Sequence, residues 1–146
     1  MRLPTLADTH AFGARLAKIL RAGDLLVLNG PLGAGKTALV QGIGAGLGVE
    51  GRIASPTFVI ARVHPGPVPL VHVDAYRLGS LAEVDDLDLD VDAADVVTAV
   101  EWGAGLVEQI ADEHLEITLD RPGDSDERVL TLVPHGPHWA ARLAAL

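Results

Sequence analysis

The stretch Leu25-Leu26-Val27-Leu28-Asn29-Gly30-Pro31-Leu32-Gly33-Ala34-Gly35-Lys36-Thr37 decides the reading of this chain. Its first five residues form a short apolar run bounded by Gly23 and Gly30, the pattern of a strand buried on both faces. The next eight match G-x-x-x-x-G-K-[ST] in full. Beyond them Leu39, Ile43 and Leu47 recur at helical spacing and predict a helix over Lys36–Leu47. Gly42, Gly44 and Gly46 weaken its second half by about 1 kcal/mol each relative to alanine. A glycine-rich loop between a strand and a helix is suited to phosphate. Glycines let backbone N–H groups curl around phosphate oxygens, and the helix N-terminus adds a field favourable to anions. In that frame Lys36 neutralises β- and γ-phosphates and the Thr37 hydroxyl holds magnesium.

Working outward, Phe12, Leu16, Ile19 and Leu20 share one face of a helix predicted over Asp8–Ala22, with Asp8 or Thr9 as its cap and Gly23 as its stop. Phe58–Val63 and Leu70–Asp74 read as strands around the Pro65-Gly66-Pro67 turn, and Val96–Glu101 as another. Leu115–Leu119 and Val129–Val133 predict a hairpin around Pro122-Gly123. Strands and helices alternate through most of the chain. The expected fold is α/β and P-loop NTPase-like: a mostly parallel central sheet flanked by helices, with a C-terminal antiparallel hairpin, in one domain spanning 1–146.

Composition narrows the function. The chain has 146 residues, 49% hydrophobic and 21% charged, a globular balance able to bury roughly two-thirds of its unfolded surface. No apolar run approaches the roughly 18 residues of a membrane span, and Asp8 interrupts the start before a signal-peptide core forms, so the expected location is the cytoplasm, away from membranes. With no cysteine there is no thiolate nucleophile, disulfide or cysteine zinc site. Twenty acidic against 11 basic residues give a net charge of −9, the wrong sign for gripping nucleic acid phosphates unaided. A role in nucleic acid chemistry would pass through a partner. Only two residues are lysines, Lys18 and Lys36, so a lysine inside a motif is informative.

A phosphate loop does not by itself separate GTPases, kinases and ATPases. The only asparagine, Asn29, lies before the loop, so the Asn-Lys-x-Asp element of guanine recognition is missing, which favours ATP over GTP. Magnesium needs oxygen ligands near the phosphates, and carboxylates at the C-terminal ends of parallel strands fall beside such a site. Asp74 and Glu101 each follow an apolar strand and have that placement. Between loop and acids, Ser55-Pro56-Thr57-Phe58 is a polar turn entering a strand; a hydroxyl there could sense a γ-phosphate, but taken alone these residues favour an ordinary turn beginning a strand.

Taken together, Gly33-Ala34-Gly35-Lys36-Thr37, Ser55-Pro56-Thr57-Phe58, His72-Val73-Asp74-Ala75-Tyr76-Arg77-Leu78 and Glu101-Trp102 resemble the TsaE (formerly YjeE) family of tRNA threonylcarbamoyladenosine biosynthesis ATPases. Order and spacing match over nearly the whole chain, including the opening Thr9, Phe12-Gly13 and Leu16-Ala17. The resemblance implies a small ATPase, slow alone, that uses ATP and Mg2+. It would work with the threonylcarbamoyltransferase subunits TsaD and TsaB in modifying the adenosine beside the anticodon, with tRNA reached through the complex. It further implies nucleotide contacts from Gly33, Ala34, Gly35, Lys36, Thr37 and Ala38, a contribution near the adenine from Thr9, and Trp102 beside the nucleotide. Magnesium would be held by Thr37 and Glu101, with Asp74 acting through a water or placing the attacking one, and Thr57 in a switch-like loop. The chain departs from the usual family pattern at Pro31, where an aspartate often stands, and at Ala75, where a bulkier residue is usual.

Other features carry less. Residues 83–95 hold seven acids and no basic residue, but a calcium loop starting at Asp88 would need glycine at 93 and glutamate at 99, and both are alanine. The alternation of Leu87, Leu89 and Val91 with aspartates reads as an extended edge with one solvated face, which could also dock a basic partner. His135 and His138 lack a third ligand at metal spacing, and His72 is expected to pack or to orient a neighbour. Two rival functions share the loop: a small-molecule kinase, and an assembly module in which hydrolysis is incidental.

Overall fold

A computed structural model describes residues 1–31, 33–49, 53, 61–74, 93–101 and 113–146. Its centre is the strand expected from the apolar run, β2 (Leu25–Asn29); β1 is the short Arg2–Leu3. Leu26, Val27 and Leu28 have no exposed surface, and since consecutive side chains point to opposite faces of a sheet, both faces of β2 are covered. Around it lie β3 (Ala61–His64), β4 (Leu70–Asp74), β5 (Val97–Glu101), β6 (His114–Asp120) and β7 (Arg128–His135). The order across the sheet is β1-β7-β6-β2-β5-β4-β3. β6, β2, β5 and β4 run parallel, while β3, β7 and β1 close the two edges antiparallel. The mostly parallel sheet and the C-terminal hairpin are as expected. The strand predicted over Phe58–Val63 is described only as Ala61–His64, since 58–60 lie outside the described residues.

Helix α1 spans Leu6–Ala17 and α2 spans Lys36–Gly46. The cap expected at Asp8 or Thr9 is instead Thr5. Its hydroxyl accepts from the Asp8 N–H at 3.2 Å, and the Asp8 carboxylate accepts from the Thr5 N–H at 3.0 Å, a reciprocal box that satisfies two otherwise unpaired donors. Asp8 is therefore the third residue of the helix, and the helix stops five residues before Ala22. Leu20, beyond that end, still packs into the core.

The glycines of α2 do not interrupt it. Gly42 and Gly46 are contact points for α1, where a Cβ would lie 2.3 Å from the His10 carbonyl oxygen and 2.5 Å from the Ala17 Cβ, while a Cβ on Gly44 would lie 2.2 Å from the Ile53 Cδ1. Backbone approach of this closeness is available only without a side chain, so tertiary packing offsets the propensity cost. Contacts advance together along both helices, from His10–Gly42 to Ala17–Gly46, so α1 and α2 run in the same direction. Phe12, Leu16, Leu39, Val40 and Ile43 then pack with Leu26, Leu28, Val97, Ala99, Leu115 and Ile117 in one core. Two elements escape the apolar pattern, β1 and a C-terminal helix α3 (Pro137–Leu143), whose Trp139 is buried under the Arg142 guanidinium at 4.2 Å from the ring centroid. No helix among the described residues is long and apolar enough to cross a membrane.

Candidate functional site

The loop leaves the C-terminal end of β2 at Gly30 and enters α2 at Lys36. Gly30 is required twice over: its φ of 144° lies in the region side chains disfavour, and a Cβ would lie 2.4 Å from the Leu119 carbonyl oxygen. Gly35, with φ 100°, turns the chain into α2 as its N-cap and brings no capping side chain. The first turn of α2 thus directs its backbone donors at the loop, with the positive end of the helix dipole behind them.

Lys36 is 5% exposed and turned onto the loop, where Nζ donates to the Gly30 carbonyl at 2.5 Å and the Pro31 carbonyl at 3.1 Å. The Ala34 N–H reaches the same Pro31 carbonyl at 3.0 Å. Pro31, which offers no N–H, serves here through its C=O. Leu32 lies outside the described residues.

The two expected acidic positions end neighbouring strands of the sheet from which this loop leaves. Glu101 is in register with Leu28 on β2, two residues before Gly30, and Asp74 is in register with Glu101 across the β4–β5 ladder. Glu101 is buried and accepts a hydrogen bond from His72 Nε2 at 2.6 Å; the His72 side chain has no exposed surface. With the Nε2 proton committed to Glu101, Nδ1 is left as an acceptor with no donor among the described residues. His72 orients its neighbour, as expected. The donor set suits magnesium: the Thr37 hydroxyl and Glu101 carboxylate are hard oxygens, and His72 engages one of the two Glu101 oxygens.

Thr9 is buried in the first turns of α1, with its hydroxyl 3.5 Å from the Thr5 carbonyl. Because α1 and α2 run in the same direction, it lies toward the end of the pair where α2 leaves the loop. Gly33, Ala34, Gly35, Lys36, Thr37 and Ala38 are continuous through the loop and into α2. Thr57, Trp102 and the Ser55-Pro56-Thr57-Phe58 turn lie outside the described residues, as does most of the acidic segment 83–95.

Sequence reading missed Arg128. Its guanidinium donates to the Ala34 carbonyl at 2.9 Å and the Gly33 carbonyl at 3.4 Å, across 94 and 95 residues of chain. No local pattern marks it. On the other side of the sheet hairpin, His135 pairs with Glu116 at 3.0 Å and stacks on His114 at 4.2 Å, while His138 turns to Glu113. His135 thus gathers with His114 and Glu116, a cluster the spacing did not reveal and that His138 does not join. The two rings are within 12° of parallel, so their in-plane lone pairs run side by side and do not converge on one metal.

A strand-loop-helix of this form on a mostly parallel sheet makes the molecule an α/β protein of the P-loop NTPase-like class. Similarity to known proteins narrows the class. The family model for "Threonylcarbamoyl adenosine biosynthesis protein TsaE" matches residues 3–130. The chain is 57% identical over 136 residues to the tRNA threonylcarbamoyladenosine biosynthesis protein TsaE of Streptomyces coelicolor, covering 88% of this chain and 91% of that protein. It is 40% identical over 134 residues to the Bacillus subtilis protein of the same name, covering 90% and 83%. The crystal structure of Bacillus subtilis YdiB superposes with a TM-score of 0.80 at 32% identity, covering 99% of this chain and 90% of that one. The chain belongs to the TsaE family, whose members serve threonylcarbamoyladenosine biosynthesis.

Proposed function

We propose that this chain is a Mg2+-dependent ATPase, in one domain spanning 1–146, that supports threonylcarbamoyladenosine modification of tRNA in the cytoplasm. The observation that carries the reading is the register of Glu101 with Leu28 and of Asp74 with Glu101, which sets two acidic positions beside a complete G-x-x-x-x-G-K-[ST] loop. Lys36 would leave the Gly30 and Pro31 carbonyls for the β- and γ-phosphates, while the amides of Gly33 to Ala38 cradle them. Thr37 and Glu101 would hold magnesium, which supplies charge neutralisation on the phosphate oxygens. Asp74 and Thr57 would act on the attacking water and the γ-phosphate, and Thr9 and Trp102 would line the base and sugar side.

The partners are the threonylcarbamoyltransferase subunits TsaD and TsaB. A net charge of −9 disfavours direct tRNA binding and suits a basic protein surface. The test is phosphate release from Mg-ATP by the chain alone, then with TsaD, TsaB and tRNA, with Lys36→Ala as the blank. Stimulation by the partners that is absent in the blank is the expected result. Transfer of phosphate to small-molecule acceptors, with no stimulation by partners, would replace the ATPase with a kinase.

A further inference from the structure

We propose that Arg128 is a positioning residue for the phosphate loop, holding the Gly33 and Ala34 peptide planes so that the following amides face the loop interior before nucleotide arrives. The proposal rests on the reading of residues 30–37 as a nucleotide-phosphate loop.

The geometry has two halves. Toward the loop, Arg128 Nε donates to the Ala34 carbonyl at 2.9 Å and Nη2 to the Gly33 carbonyl at 3.4 Å. Toward its own hairpin, Nη1 donates to the carbonyls of Ser125 at 3.0 Å and Glu127 at 3.1 Å. A guanidinium is a rigid planar fork, so bonds on both sides fix its plane and hence the two loop carbonyls. The base of the fork is itself held: Arg128 pairs with Leu3 of β1, and the neighbouring Glu127 forms an ion pair with Arg2 at 2.7 Å.

Peptide planarity transmits this hold. In a trans peptide the C=O and the next N–H point in opposite directions. Drawing the Gly33 and Ala34 carbonyls toward Arg128 therefore turns the Ala34 and Gly35 N–H groups the other way. The Ala34 N–H obeys this, donating across the loop to the Pro31 carbonyl at 3.0 Å, the same carbonyl that Lys36 Nζ contacts. Two cations thus flank the loop, Lys36 inside it and Arg128 behind it. The loop sits directly against the guanidinium, because a Cβ on Gly35 would lie 3.3 Å from Arg128 Nε. Without Arg128 both carbonyls lose their fixed donors, and a phosphate must order these peptide units as it binds.

The experiment uses the full chain and Mg-ADP, which binds without hydrolysis, followed by calorimetry of Arg128→Gln and Arg128→Lys. Both variants are expected to raise the Kd about tenfold, lysine included because one ammonium cannot span the carbonyls on both sides. In turnover KM for Mg-ATP rises by a similar factor while kcat stays within about twofold, since the Arg128 hydrogen bonds act equally before and during reaction. Hydrogen exchange quickens in peptides covering 33–36 and not in α1. Wild-type affinity in either variant overturns the proposal. So does accelerated exchange across α1 and β2, which would mark Arg128 as a general stabiliser. Failure of the wild-type chain to bind Mg-ADP would instead remove the phosphate-loop reading itself.

Discussion

Replacing His72 by leucine tests whether Glu101, the acid of the candidate site, is held by its neighbour. The His72 side chain is wholly buried on β4, and its Nε2 lies 2.6 Å from a Glu101 oxygen on β5, where Glu101 is itself 5% exposed. Leucine fills a similar volume, so the cavity term is small and the loss is that of the hydrogen bond. A bond to a charged group is worth about 1.5–3 kcal/mol, and the acceptor left behind is buried. Removing Nδ1, which has no partner among the described residues, returns part of this, leaving a net loss of about 2 kcal/mol. For a chain of this length that corresponds to a fall in Tm of about 5–8 °C. Thermal unfolding followed by circular dichroism measures it, with His72→Gln as companion because its amide N–H can still donate to Glu101 and should recover part of the loss. Hydrolysis of Mg-ATP should fall about tenfold in the leucine variant. An unchanged or raised Tm in His72→Leu would refute the reasoning and place this pair among those whose desolvation cost equals their attraction.

Three other outcomes follow from the same geometry. Glu101→Gln keeps an acceptor for His72 but loses the charge, so hydrolysis should fall about a hundredfold with Mg-ADP affinity within about threefold; wild-type turnover would remove Glu101 from the site. Gly42→Ala gains about 1 kcal/mol of helix propensity, yet its Cβ meets the His10 carbonyl oxygen at 2.3 Å and forces α1 and α2 apart, for a net loss of about 2 kcal/mol in denaturant unfolding. A more stable variant would contradict the packing. His64, at the end of β3, has a pKa lowered from 6.5 by burial, then by the charges of His72 and Arg62. The unfolded chain therefore takes up the proton first as pH falls below 6.5, so Tm should decline from that point downward, and His64→Gln should flatten the decline.

What could be read without coordinates was whatever depends on near neighbours in the chain. The apolar run 25–29 became β2 with the limits expected, because burial on both faces demands continuous apolar side chains. The loop was legible because its glycines, lysine and threonine stand at fixed short offsets. Asp74 and Glu101 were legible for a similar reason, each being the polar end of an apolar strand. The cap of α1 was misplaced because Asp8 has the chemistry of a cap yet acts from the third helical position, and only the backbone angles of Thr5, φ −130° and ψ 166°, separate the two.

Sequence by itself therefore determined the strand-loop-helix, the parallel α/β class and the family, all of which are local patterns or patterns in series. Tertiary structure alone decided which distant groups meet. Two glycines of α2, Gly42 and Gly46, destabilising in isolation, became the surface on which α1 packs, and Gly44 made room for Ile53, since close packing rewards the absence of a side chain. His72 found Glu101 across a strand pair, and Arg128 found the loop from 94 residues away. Such meetings depend on strand order and register, in which residues far apart along the chain become neighbours in space, and a local pattern carries no record of them.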